Sequence, residues 1–167
     1  MRCRYGCGMN EQTRIASVTL DGSSIARRST EAEHERQVAI ADLIGTGAIT
    51  ITDPHFATLH GPYALNVSVR DQRLLLSLTG AEGKSCDIAL MLAPFRMVIK
   101  DYFIICESYY EAIKSASRER IQTVDMARRG RHNEGSEMLQ TALEGSLAMD
   151  LATARRLFTL ICVLHIK

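Results

Sequence analysis

The chain has 167 residues, 46% of them hydrophobic and 23% charged, with 20 Lys and Arg against 19 Asp and Glu. This balance excludes the low-hydrophobicity, high-charge regime of disordered chains. It also supplies no overall field that would draw the molecule to nucleic acid or an anionic membrane, so any anion site must be a local cluster.

A chain of this length buries roughly 70% of its unfolded surface on folding and needs no disulfide staple. The five cysteines are scattered, and Cys86, Cys106 and Cys162 sit in apolar stretches, the pattern of free thiols in a reducing compartment. The longest apolar run, Leu157 to Leu164, is too short to span a bilayer. The expectation is a cytoplasmic protein with no membrane contact.

Residues 1–13 lack periodicity and read as a disordered N-terminal extension, with Met9 an alternative start. Residues 14–167 read as a single α+β domain. Arg14 to Leu20 predicts a strand. Thr30, with Glu33 three residues on, starts a helix to about Ile44, with Ala39, Ile40, Leu43 and Ile44 on its buried stripe. Ala48 to Thr52 is a short strand ended by Asp53-Pro54.

Leu65, Val67 and Val69 alternate with Asn66, Ser68 and Arg70. The same alternation recurs at Leu74, Leu76 and Leu78 and at Ile88, Leu90 and Leu92, predicting an antiparallel meander with one polar face. Pro94 opens a helix to about Ser115, whose apolar face holds Phe95, Val98, Tyr102, Ile105, Cys106, Tyr109 and Ile113. Met97 and Ile104 interrupt its polar side and predict a second covered face, against neighbouring helices or a second subunit. Gly130 and Gly145 predict stops for two short helices, Ser117 to Arg129 and Asn133 to Glu144, and Asp150 caps a last, nearly all-apolar helix. The predicted architecture has two layers, a small mainly antiparallel sheet against a C-terminal helical array, and homodimerisation is expected from Met97, Ile104 and the last helix.

Several apparent motifs fail on spacing or context. Gly80 to Ser85 ends like a P-loop, but Leu78 stands where glycine is required and no helix follows, so a hairpin turn explains the glycines. Cys3 and Cys7 lack the second pair that a structural zinc site needs. Glu31 and His34 lack the second copy that a di-iron bundle needs. Cys162 and His165 read as packing residues. No metal site or cofactor is expected.

Glu107 and Glu111 share a helix face with Tyr110 beside them and Lys100 and Lys114 bracketing it; they are secondary site candidates, weighed against a solvated charged face. The least ordinary stretch is Arg128-Arg129-Gly130-Arg131-His132-Asn133-Glu134-Gly135. At a helix-helix junction the three arginines would hold a phosphate or carboxylate, helped by free N–H groups of a helix starting at Asn133. His132 and Glu134 would orient the anion or move a proton. The structural alternative is an interhelical joint in which Arg128 pairs with Asp125 and Asn133 caps a helix.

Three functional readings follow. The first is a non-enzymatic binding or assembly protein that recognises a protein partner or small anionic ligand through Arg128 to Glu134. The second is an enzyme on an anionic substrate with His132 and Glu134 as acid and base. RNA binding ranks last, because the Arg118 to Arg131 region carries no aromatic residue for base stacking.

The strings TRIASVTLD, EHERQVAIADL, PFRMVIKDYFIICESYYEAI, RRGRHNEGSEML and TARRLFTLICVLH resemble the alphaproteobacterial uncharacterised protein family two-six-two, from about Thr13 to His165. The Met1 to Gly8 extension and the Gly80 to Ser85 turn depart from its pattern. The resemblance implies a bacterial cytoplasmic protein and brings no activity, ligand or catalytic residue with it.

Overall fold

In a computed structural model the described residues are 10–21 and 30–165. Alternation of apolar and polar residues produces strands β1 (Ile15–Asp21), β3 (Tyr63–Arg70), β4 (Arg73–Thr79) and β5 (Ser85–Met91). They form one sheet in the order β1-β3-β4-β5. The meander is present: Val67 pairs with Leu76 and Leu76 with Ile88 on the buried face, while Asn66 pairs with Ser77 and Ser77 with Asp87 on the exposed one. Gly80 to Lys84 make the β4–β5 turn, with Gly83 at φ 76°. β1 lies parallel to β3, so the chain between them must cross over, and helix α1 (Thr30–Thr46) lies within that connection. A second sheet pairs β2 (Thr50–Ile51) with β6 (Leu147–Ala148), a strand the sequence pattern did not suggest.

Helices α2 (Arg96–Ser115), α3 (Arg118–Leu143) and α4 (Leu151–His165) make the other layer. Asp150 caps α4 as predicted, its Oδ1 accepting from the Thr153 N–H at 2.8 Å. The apolar run of α4 is central: Phe158, Leu160 and Ile161 are fully buried and join the sheet's inner face in one core.

Three local expectations are corrected. Gly130 does not stop a helix. α3 runs unbroken for 26 residues, because Val124, His132, Gly135, Ser136, Leu139 and Leu143 form one buried stripe along it. That packing outweighs the cost of an interior glycine, about 1 kcal/mol. Ile113 of α2 is 51% exposed rather than buried, and no neighbouring helix of the chain covers Met97 or Ile104. Finally, the predicted extension reaches 13, whereas Asn10 to Thr13 form a hydrogen-bonded turn whose Gln12 carbonyl accepts from the Gly61 N–H at 2.8 Å. Cys3 and Cys7 lie outside the described residues.

Candidate functional site

With α3 continuous, there is no helix-helix junction at residues 128–135 and no helix N-terminus at Asn133 to supply free N–H groups. The helical period distributes the segment around the rod instead. Arg128, Arg129 and His132 face a cleft of about 440 Å³ between α1, α3 and α4, where they meet Arg155, Arg156 and Thr159 of α4.

His132 sits at the base of this cleft, 8% exposed, between the rings of Tyr102 and Phe158, each edge-on with its centroid 5.2 Å away. Thr159 Oγ1 donates to the Arg155 carbonyl at 3.0 Å. Its one proton is thereby used, so it accepts from His132 Nε2–H at 2.8 Å. Burial, reinforced by the guanidinium charges of Arg155, Arg128 and Arg156, holds the imidazole pKa down to about 4. His132 is therefore neutral at physiological pH and contributes a dipole rather than a fifth positive charge.

The four guanidiniums differ in how they are engaged. Arg128 pairs with Asp125 at 2.6 Å and lies over the Tyr109 ring at 4.5 Å. Arg129 shares the other Asp125 oxygen at 3.0 Å, and these contacts depress the Asp125 carboxyl pKa. Arg156 pairs with Asp42 of α1 at 2.8 Å. Arg155 has no carboxylate partner among the described residues and is exposed on the cleft wall. Guanidinium forks of this kind match the paired oxygens of phosphate or carboxylate.

The remaining residues of the segment point elsewhere. Arg131 pairs with Glu134 at 2.8 Å and lies 3.8 Å from Asp101 on α2. Asn133 does not line the cleft, and its buried Oδ1 has no hydrogen-bond partner. His132 and Glu134 do not share a cavity, so the acid-base pair suggested by sequence proximity is not assembled.

The family model described as Uncharacterised protein family (UPF0262) matches residues 12–167. The chain belongs to that family. The UPF0262 protein of Ruegeria pomeroyi is 49% identical over 156 residues, covering 92% of this chain and 96% of its own. The UPF0262 proteins of Xanthobacter autotrophicus and Sphingopyxis alaskensis are each 49% identical, covering 92% of this chain and 93% and 94% of their own lengths. No solved structure matches the chain.

The secondary candidates of this UPF0262 chain separate in the same way. Lys100, Glu107 and Tyr110 line a larger, mainly apolar cavity of about 770 Å³ between α1, α2 and α4. Glu111 stays outside it in an exposed pair with Lys114 at 3.1 Å. Tyr110 donates its hydroxyl proton to Glu35 Oε1 at 3.1 Å, and burial with that carboxylate nearby raises its pKa.

Sequence reading missed Arg155, Arg156 and Thr159. A signal was present: Arg155-Arg156 interrupts an otherwise apolar helix, where charged residues need a reason. Among the described residues no group of three His, Cys, Asp or Glu side chains converges as a metal site would, and no helix is long and apolar enough to cross a membrane.

Proposed function

We propose that the protein is a non-enzymatic cytoplasmic binding protein for a small anion carrying a phosphate or carboxylate. Arg128, Arg129, Arg155 and Arg156 are the contacts, and the neutral His132 and Thr159 form the floor. The observation that carries this reading is the convergence of guanidiniums from two helices on one cleft, with Arg155 lacking a carboxylate of its own. Asp125 and Asp42 offset three of the guanidiniums and Glu35 lines the same cleft, which leaves Arg155 as the cation an anion would relieve, and ligands that bind only the folded state stabilise it by mass action.

Titration with inorganic phosphate, followed by thermal unfolding and calorimetry, tests the proposal. A saturable rise in Tm is expected for the wild type and its loss in Arg155→Ala, whose exposed side chain contributes little to the unliganded fold. Absence of any phosphate-dependent shift in the wild type removes the reading. The homodimer expectation rests on the exposed Met97 and Ile104 of α2; a monomeric mass in light scattering at micromolar concentration removes it.

A further inference from the structure

We propose that the ligand of the arginine cleft is an amphipathic anion whose apolar body occupies the adjacent 770 Å³ cavity, an inference that rests on the anion-binding reading above. The two cavities share a wall: Tyr102 and Glu35 line both. The arginine cleft is polar and has room for an anionic head. The neighbouring cavity offers Ile99, Phe103, Cys106, Cys162 and Val163, and its volume falls within the ~300–1,000 Å³ of sites that enclose an organic ligand. An inorganic ion alone would leave that space unused.

The two thiols reinforce its apolar character. Burial pushes the Cys106 pKa up to about 11 and that of Cys162 well above the ordinary value, so both are neutral and act as small apolar groups. The cavity's charged lining residues, Arg96, Lys100 and Lys114 with Glu31, Glu35 and Glu107, balance in sign and select no head group. Selection of charge therefore belongs to the arginines, and accommodation of the apolar body to the larger cavity. Glu35 lies at the boundary, held by the Tyr110 hydroxyl. It is the carboxylate an apolar chain would pass between the two spaces.

Calorimetric titration of the full-length protein with inorganic phosphate and with butyl, hexyl and octyl phosphate, each below its micelle concentration, tests this. Affinity is expected to rise about two- to fourfold per added methylene until the cavity is filled. Inorganic phosphate should displace octyl phosphate, and Arg155→Ala should weaken the whole series. Glu35→Gln, with its fold checked by circular dichroism, should tighten octyl phosphate more than inorganic phosphate; equal effects would count against a shared boundary.

Equal affinities along the series, with phosphate still bound, overturn the apolar-body assignment and leave the anion reading standing. Octanol binding as tightly as octyl phosphate, without displacement by phosphate, also overturns it, because the cavity would then be an independent site. No binding of phosphate or alkyl phosphate removes both. A free ligand rather than a membrane-borne one is the source proposed, so sedimentation of the protein with phosphatidic acid vesicles in the absence of octyl phosphate binding would overturn the proposal as well.

Discussion

The backbone of Gly135 lies against the ring of Phe158 so closely that a Cβ at position 135 would overlap Cζ, Cε1 and Cε2 of that ring. α3 and α4 can approach this closely only because residue 135 has no side chain, and the contact brings His132 alongside Thr159 one turn away. Gly135→Ala is expected to destabilise the protein by about 1–3 kcal/mol through overpacking. Gly130 sits on the same helix with nothing within 4 Å of its would-be Cβ. There the identical change should stabilise by up to about 1 kcal/mol through helix propensity. Urea denaturation of the two variants reads both signs, and two changes of equal sign would contradict this packing.

Acid sensitivity should report on His132. Its folded pKa of about 4 lies below the ordinary 6.5, so the unfolded chain binds the proton more readily between those values. The contribution of His132 to stability is complete above pH 6.5 and is lost as the pH falls toward 4, to a total on the order of 2–3 kcal/mol. Comparison of urea midpoints at pH 7 and pH 4.5 should show a shallower decline in His132→Gln than in the wild type. Parallel declines would mean that the imidazole is not held neutral.

Asp42 competes with any anion for Arg156. In Asp42→Asn the guanidinium is released, and phosphate affinity is expected to rise several-fold. Stability should change by no more than about 1 kcal/mol, since the pair is 46% and 39% exposed. Calorimetry against phosphate checks the first statement and thermal unfolding without ligand the second.

The β3–β4 turn places Asp71 and Gln72 at φ 50° and 61°. Two consecutive positive φ values form the mirror-image turn that Asn-Gly adopts with least strain. Replacing the pair by Asn-Gly should raise stability by up to about 1 kcal/mol, even though the Arg96 hydrogen bond to the Gln72 side chain is lost. A fall in Tm would show that this bond matters more than the strain.

The meander was legible because Leu65, Val67, Leu74, Leu76, Leu78 and Ile88 recur at every second residue and the opposite face carries polar residues, so a slip of one residue would bury Asn66, Ser77 and Asp87. Asp150 and the largely apolar run Leu157 to Leu164 of α4 were legible for equally local reasons. The parallel β1–β3 pairing was not, since nothing within Ile15–Asp21 records the direction of its neighbour across the α1 crossover. Gly130 misled because a glycine has the same local signature as a helix stop and as a tolerated interior residue. Only the stripe from Val124 to Leu143 distinguishes them. His132 lies 27 residues from Thr159, and the cleft arises from that non-local meeting of helices rather than from the 128–135 string alone.

An unbroken α3 is a stiff rod about 39 Å long at 1.5 Å per residue. Over its first turns Val124 is the first buried residue, and Arg118 to Arg120 stand exposed beside the end of α2. Arg128 and Arg129 sit partway along the same rod. The close contact of Gly135 with Phe158 fixes that rod against α4, so Arg128 and Arg129 hold a set position opposite Arg155 and Arg156.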